Sequence, residues 1–195
     1  MLVTVLDTET TGLDTKIHEI IQFAAVRFLL KDDATVSILD KVDLKIKPKN
    51  LAAASPQALK VNGFSPEAWD GSLPISCHLG VIADFVSNSD FLLGQNLIFD
   101  LRFISKAFLE EDAKLPQFPH YADTKHMASG LVKEGKLKSA SMDKLVEHYN
   151  IKFSGRAHTA LTDCHRTLNV WLRLLKEAEM DFFTYDNPYD SFAKK

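Results

Sequence analysis

Acidic residues in two segments have the side-chain type and spacing that metal-assisted hydrolysis requires. Asp7 and Glu9 end an apolar run, and side chains two positions apart on a strand point to the same face. Asp100 follows a second apolar run and comes four residues after Asn96, which fits the N-cap of a helix. Each acid alone has an ordinary explanation, because acids are common at strand ends and in first helical turns, where they favour the helix dipole.

A histidine and a fourth acid, His158 and Asp163, open the last long helical pattern. Five residues turn a helix by about 500°, so the two side chains would share no face within it. They converge only if His158 lies in the preceding loop, where Gly155 permits a sharp approach. An imidazole that titrates near neutrality can take a proton from water, so we predict His158 as a general base.

All these residues fall at the ends of predicted elements, which is where α/β folds build their sites. Four carboxylates in one place repel each other and need a counter-charge. Hard oxygen ligands select Mg²⁺ or Mn²⁺ over Zn²⁺. Two such ions about 4 Å apart stabilise the attacking and leaving oxygens of a phosphodiester displacement. The combination therefore predicts phosphodiester hydrolysis with two divalent cations.

The elements that must position these residues follow from the hydrophobic pattern. Apolar runs over 2–7 and 20–30 predict two strands, and alternation over 35–47 predicts a third, joined as an antiparallel meander. Strands and helices alternate after that point, which predicts an α/β fold with a mixed sheet flanked by helices. The later predicted elements are a helix capped by Ser55, a helix over 74–87, a strand over 91–94, a helix over 97–110, a strand over 120–122 and helices over 124–132, 141–149 and 159–179.

The bulk composition fits one ordinary globular domain, and it argues against several other classes. No apolar run approaches the roughly 20 residues that span a bilayer. Two cysteines are too few for a disulfide framework, so we expect a cytoplasmic protein. The net charge of −3 means that phosphate binding must come from local groups. A basic excess between Lys125 and Arg156 is interpreted equally well as a solvated surface or as a contact surface for a nucleic-acid strand.

Three segments in this order resemble the three motifs of the DEDDh family of 3′–5′ exonucleases. They are Asp-Thr-Glu-Thr-Thr-Gly-Leu at 7–13, Asn-Leu-Ile-Phe-Asp at 96–100 and His-Thr-Ala-Leu-Thr-Asp at 158–163. The likeness runs from residue 2 to about 176 and extends to the proofreading epsilon subunits of bacterial DNA polymerase III. The resemblance implies an RNase H-like fold with a five-stranded mixed sheet, formed by an exonuclease domain over 1–180 and followed by a tail over 181–195.

The resemblance also implies roles for individual residues. Asp7, Glu9 and Asp163 would hold one cation, and Asp7 with Asp100 would hold a second. His158 would be the general base. Backbone amides of residues 8–11 would receive the terminal nucleotide, and Leu13 would lie against its base. The residues implied to contact or support the substrate are Thr8, Thr10, Thr11, Leu13, Asn96 and Phe99.

Two positions depart from the family pattern. Asn62 stands where many relatives have a histidine that contacts the end of the strand, and Gln22 stands where they often have glutamate. Neither is one of the five implied catalytic positions. A third position, Asp123, also matches the family, but capping of the following helix is the preferred interpretation.

Three functions are consistent with the sequence. The first is a DNA 3′–5′ exonuclease that releases nucleoside 5′-monophosphates, and the second is an exoribonuclease on the same scaffold. The two enzymes differ in whether the site has room for, or contact with, the 2′-hydroxyl of an RNA substrate. The third is a noncatalytic nucleic-acid-binding or polymerase-adaptor module, against which the complete set of acids and histidine argues. The aromatic residues of the 181–195 tail are interpreted as self-packing or, alternatively, as a docking element for a DNA polymerase partner.

Overall fold

A computed structural model of the chain describes residues 1–32, 35–153 and 157–177. Gly155, Arg156 and the predicted tail over 181–195 therefore lie outside the described residues. Within the described ranges, five strands form one sheet. They are β1 (Leu2–Thr10), β2 (Ile20–Leu30), β3 (Val36–Lys45), β4 (Phe91–Gly94) and β5 (His120–Asp123).

The sheet is mixed, with the strand order β3-β2-β1-β4-β5. β1, β2 and β3 pair in antiparallel fashion, whereas β4 is parallel to β1 and β5 is parallel to β4. This confirms the predicted meander and mixed sheet. β1 extends beyond the predicted apolar run because its pairing with β2 continues to the register pair Thr10–Ile20.

Helices cover the sheet at positions close to those predicted, with two differences. The predicted 74–87 helix begins as a 3₁₀ turn at Ile75–Cys77, and the predicted 124–132 helix is divided at Ala128. Among the described residues, no helix has the length and apolar character needed to cross a membrane. The helices are α1 (Pro56–Asn62), α2 (Leu79–Ser87), α3 (Leu97–Glu110), α4 (Thr124–Met127), α5 (Ser129–Lys133), α6 (Met142–His148) and α7 (Ala160–Glu177).

Both faces of the central strands are buried, which explains their nearly continuous apolar sequences. Along β1, Leu6 packs against the cluster that contains α2 and α3, whereas Val3 and Val5 pack against α7. On the α7 side, the ring of Trp171 lies 6.2 Å from that of Phe28, centroid to centroid. The alternation along β1 decides the location of the site. Asp7 and Glu9 follow Val3 and Val5 at every second position, so all four side chains point to the same face of the strand.

The last helix buries two faces. One face, which includes Cys164 and Trp171, lies against the sheet. A second face, with Val170 and Leu174, packs against the cluster formed by α4, α5 and α6. α7 is thereby held from two sides, which fixes the position of the residues in its first turns.

Candidate active site

Three of the four predicted acids converge at the end of β1. Asp7, Glu9 and Asp163 each offer a carboxylate oxygen, and these oxygens lie within 4.8 Å of one another. Asp7 and Glu9 lie on the face of β1 that α7 covers, and Asp163 enters from the first turns of α7. All three are partly exposed, so an ion from solvent can reach them.

The fourth acid, Asp100, approaches β1 from the opposite side. It lies in the first turn of α3, is only 3% exposed, and its Oδ1 accepts hydrogen bonds from Thr8. The Thr8 amide nitrogen is 2.9 Å away and the Thr8 hydroxyl is 2.6 Å away. The interpretation of Asp100 as merely an acid at a helix terminus is therefore insufficient, because a specific pair of donors on the neighbouring strand binds it.

The pKa values of Asp7 and Asp100 are both raised. Burial raises the pKa of Asp7 well above its usual range, and the charges of Asp100, Glu9 and Asp163 raise it further, whereas Arg166 lowers it. Burial also raises the pKa of Asp100 to about 7, against the hydrogen bonds from Thr8, which lower it. Close, partly desolvated negative charges of this kind require a counter-charge. The all-oxygen donor set fits a divalent cation of the Mg²⁺ type.

His158 lies in the turn before α7, as predicted, and its side chain is exposed. Its backbone is left-handed, with a φ of 62°. The backbone N–H of His158 donates to Oδ2 of Asp163 over 3.1 Å, so the acid fixes the turn that carries the histidine. His158, Asp7 and Asp163 line the same cavity of about 200 Å³.

A larger cavity of about 520 Å³ adjoins Glu9. Glu9, Leu13 and Phe99 line it, and the Leu13 side chain is 83% exposed. The turn that carries Leu13 requires glycine at position 12, because a Cβ there would lie 2.4 Å from atoms of the His18 ring. The volume is in the range of small-ligand sites in proteins, roughly 300–1,000 Å³.

The three threonines implied to contact substrate are buried and already hydrogen-bonded. The amide of Thr8 donates to Asp100, and the amide of Thr11 donates to the Glu19 carbonyl oxygen over 2.9 Å. The Thr10 hydroxyl donates to the Gly12 carbonyl oxygen over 2.7 Å. These groups hold the shape of the loop after β1 in the described structure.

The two positions that depart from the family pattern are buried and have protein partners. The Asn62 side-chain amide donates to the Thr10 carbonyl oxygen over 2.8 Å, so it supports the cavity wall. The Gln22 side-chain amide donates to the Asp43 carboxylate over 2.7 Å. Both substitutions therefore replace an ionisable side chain with a neutral one that is satisfied locally.

Asn96 occupies the N-cap position of α3, but its side chain does not cap the helix, contrary to what an N-cap asparagine suggests. Its backbone is left-handed, with a φ of 64°. The capping acceptor is Asp123, whose carboxylate accepts from the Asn96 and Leu97 amides over 2.9 and 3.0 Å. The same carboxylate also caps α4, as predicted. Asp123 thus fixes the start of the helix that carries Asp100.

We expect Asp123→Ala to lower the free energy of unfolding more than the loss of an ordinary cap, which costs roughly 0.5–2 kcal/mol. The reason is that the carboxylate of Asp123 accepts from backbone amides at the starts of two helices. Urea unfolding followed by circular dichroism measures the change. The matched control is Ser65→Ala, which removes one exposed acceptor for the Ala68 amide. An Asp123 variant no less stable than the Ser65 variant would contradict the expectation.

The basic excess after Lys125 is partly paired within the chain. The Lys136 ammonium lies 2.9 Å from a Glu134 carboxylate oxygen, and the Lys144 ammonium lies 2.6 Å from a Glu147 carboxylate oxygen. Lys125 is exposed and donates to the Asn96 side chain over 3.4 Å, close to the start of α3. Two lysines of the excess are therefore paired within the chain, and Lys125 is connected to the start of the helix that carries Asp100.

The fold and site together define an RNase H-like α/β protein with an acidic centre at the end of its first strand. Residues 4–171 match the family described as Exonuclease, RNase_T. The chain therefore belongs to this exonuclease family. The predicted resemblance to DEDDh exonucleases is confirmed.

Several relatives are recognisable along most of the chain. The DNA polymerase III PolC-type protein of Thermotoga petrophila is 31% identical over 172 residues, which are 88% of this chain but 12% of that protein. Ribonuclease T of Shewanella denitrificans is 27% identical over 88% of this chain and 79% of its own length. DNA polymerase III subunit epsilon of Rickettsia conorii is 26% identical, with coverages of 93% and 77%. The chain thus spans only a small part of the PolC-type relative.

Solved structures confirm the fold. Exonuclease I of E. coli, in complex with a dA16 oligonucleotide, matches with a TM-score of 0.78 at 18% identity. The match covers 98% of this chain and 45% of that one. This likeness establishes the predicted RNase H-like architecture with its five-stranded mixed sheet.

Proposed function

We propose that the chain is a metal-dependent 3′–5′ exonuclease that acts on DNA and releases nucleoside 5′-monophosphates. The observation that carries the proposal is the convergence of oxygens from Asp7, Glu9 and Asp163 within 4.8 Å. A cavity of about 520 Å³ adjoins Glu9 and is large enough for one nucleotide. A site that accepts one nucleotide beside a cluster of metal-binding acids suits removal of residues one at a time from a strand end.

The acids divide into two ligand sets in this proposal. Asp7, Glu9 and Asp163 hold one divalent cation, and Asp7 and Asp100 hold a second, directly or through water. Bound Mg²⁺ or Mn²⁺ would stabilise the attacking and leaving oxygens of the phosphodiester. The two hydrogen bonds from Thr8 keep Asp100 oriented, and the packing of α7 against the sheet keeps Asp163 beside β1.

His158 accepts a proton from the attacking water. The water oxygen bonds to phosphorus and the bond from phosphorus to the 3′ oxygen breaks. The released 3′ oxygen takes up a proton from solvent, so the shortened strand leaves with a 3′-hydroxyl. Support comes from the position of His158 beside Asp7 and Asp163 at one cavity. The exposed imidazole can pass the proton on to solvent, which returns the base to its neutral form.

The terminal nucleotide occupies the larger cavity, where Leu13 and Phe99 offer apolar contact to its base and sugar. The exposed Leu13 side chain at the cavity suits a wedge between the last two bases, since stacking on apolar and aromatic side chains tolerates any sequence. Thr8, Thr10 and Asn62 form the polar wall. We propose that Asn96 and Lys125, which are joined by a hydrogen bond near the start of α3, contact the strand where it leaves the site.

DNA is the proposed substrate because relatives of this chain include DNA polymerase III proteins of the PolC and epsilon types. We also propose that the enzyme is cytoplasmic and that a DNA polymerase is its partner, which the same relatives support. RNA is the second candidate, since Ribonuclease T is matched over 79% of its length. A noncatalytic module is not favoured, because all four acids and His158 are retained.

The deciding experiment is a gel time course on two 5′-labelled strands of one sequence, one DNA and one RNA, with Mg²⁺, Mn²⁺ or chelator. We expect a metal-dependent ladder that shortens from the 3′ end, faster on DNA, and no cleavage with chelator. Faster shortening of RNA would favour the exoribonuclease. Folded protein that leaves both strands intact in either metal, or that cuts with chelator present, would contradict the proposed function.

A further inference from the structure

A buried arginine side chain adjoins the acidic centre. The Arg166 side chain is 2% exposed and extends from α7 three residues after Asp163. Its Nη1 donates to Oδ1 of Asp163 over 2.7 Å, and its Nη2 donates to Oδ1 of Asp143 in α6. Sequence reasoning missed this residue, although an acid and a base three positions apart on a helix are a recognised pair.

The contacts of Asp163 leave its carboxylate little freedom. Oδ1 is engaged by Arg166, and Oδ2 accepts the backbone N–H of His158. Each carboxylate oxygen keeps a second lone pair, so both can still face a cation. Arg166 thus orients Asp163 toward Asp7 and Glu9, and through Asp163 it stabilises the turn that carries His158.

The position of Arg166 depends in turn on its two acidic partners. Its Nε has no hydrogen-bond partner among the described residues, and its guanidinium lies 4.8 Å from the centroid of the Phe153 ring. The side chain of Asp143 is 67% exposed, whereas that of Asp163 is 14% exposed. The two hydrogen bonds of the guanidinium, from Nη1 to Asp163 and from Nη2 to Asp143, form a fork. The Asp143 end of this fork is therefore anchored at the protein surface, and the Asp163 end lies at the site.

We propose that Arg166 is a positioning residue of the metal site, which ties Asp163 to Asp143 and sets the charge that an incoming cation meets. The inference rests on the proposed function for its catalytic consequence. Two effects act on different quantities. The paired hydrogen bonds orient Asp163 for turnover, whereas the positive charge of Arg166, 2.7 Å from that ligand, repels a cation and weakens its binding. These effects separate in variants that keep either the charge or the geometry.

Arg166→Met removes both the fork and the charge. We expect kcat on a DNA strand to fall by roughly 10- to 100-fold, the usual loss when the partner of a metal ligand is removed. KM should change little, because Arg166 does not line the larger cavity. The midpoint of the Mn²⁺-dependent rise in melting temperature should move to lower Mn²⁺, by roughly threefold or more, because the repelling charge is gone. A residue needed only for packing would instead weaken turnover and metal binding together.

Two further variants complete the test. Arg166→Lys keeps the charge but not the fork, so kcat should fall while the Mn²⁺ midpoint stays within about twofold of wild type. Asp143→Asn keeps an acceptor but removes a negative charge, so the midpoint should move to higher Mn²⁺ with kcat within about threefold. Circular dichroism and a cooperative melt establish whether each variant is folded. If Arg166→Met does not fold, Arg166→Lys and Asp143→Asn alone test the positioning role.

Wild-type kcat in Arg166→Lys, or a Mn²⁺ midpoint in Arg166→Met that is unchanged or higher, would overturn the positioning role. Failure of the proposed function looks different, since wild-type protein would then cleave neither strand with metal. The melting curves in Mn²⁺ need no substrate and report on Arg166 in either case.

Discussion

Asp7→Asn is expected to abolish cleavage and at the same time to raise the melting temperature of the metal-free protein at pH 8. Asp7 belongs to both proposed ligand sets, so its loss removes several kcal/mol of transition-state stabilisation, roughly 10³-fold or more in rate. The gain in stability arises because asparagine removes a partly buried charge that three neighbouring carboxylates repel.

The direction of the pH effect follows from the raised pKa values of Asp7 and Asp100. A carboxyl whose folded pKa lies above its unfolded value is favoured by folding in its protonated form. Its stabilising contribution is therefore present below the unfolded pKa, roughly 4, and is lost as the pH rises through the folded pKa. For Asp100 that folded pKa is about 7. Metal-free wild-type protein should lose stability between these values, and Asp7→Asn should lose less.

Thermal melts in chelator at pH 5 and pH 8 measure this effect. Each kcal/mol shifts the melting temperature of a chain of this size by about 2–4 °C. Asp70→Asn, which changes an exposed acid in a loop, is the control and should leave both the melt and the cleavage rate unchanged. An Asp7→Asn protein that cleaves at the wild-type rate, or that melts below wild type at pH 8, would exclude the arrangement of charges proposed for this site.

His158→Asn is expected to lower kcat by roughly 10²- to 10⁴-fold, the usual contribution of a general base. Asparagine cannot take the proton, but it tolerates the left-handed backbone that His158 adopts, so the turn before α7 should persist. The backbone N–H that donates to Asp163 is also kept. The loss should therefore appear in turnover and not in the Mn²⁺-dependent rise in melting temperature.

Single-turnover rates with saturating Mg²⁺ isolate the chemical step of this variant. His148→Asn, which alters an exposed histidine on α6, is the matched control and should retain the wild-type rate. A loss below about tenfold in the His158 variant would assign water activation to another group. A loss accompanied by weaker metal binding would mean that the substitution disturbed Asp163.

Much of the fold and part of the site were predictable from local sequence patterns. The strand period placed Asp7 and Glu9 on one face of β1, and the apolar runs located β2, β4 and α3 with the observed bounds. The ordered motifs predicted the exonuclease family. These predictions succeed because periodicity and turn chemistry act over a few residues, and the residues that produce them are adjacent in the chain.

Other features were decided only by packing between distant segments. Asp123, not Asn96, supplies the cap of α3, because β5 lies beside β4 in the sheet. Arg166 reaches Asp143 because α7 packs on α6 as well as on the sheet, and the same double packing buries the second face of α7. Local motifs were enough to predict which acids and which histidine gather at the end of β1. Their hydrogen-bond partners were not predictable, since a partner far along the chain is set by how the elements pack and leaves no local pattern.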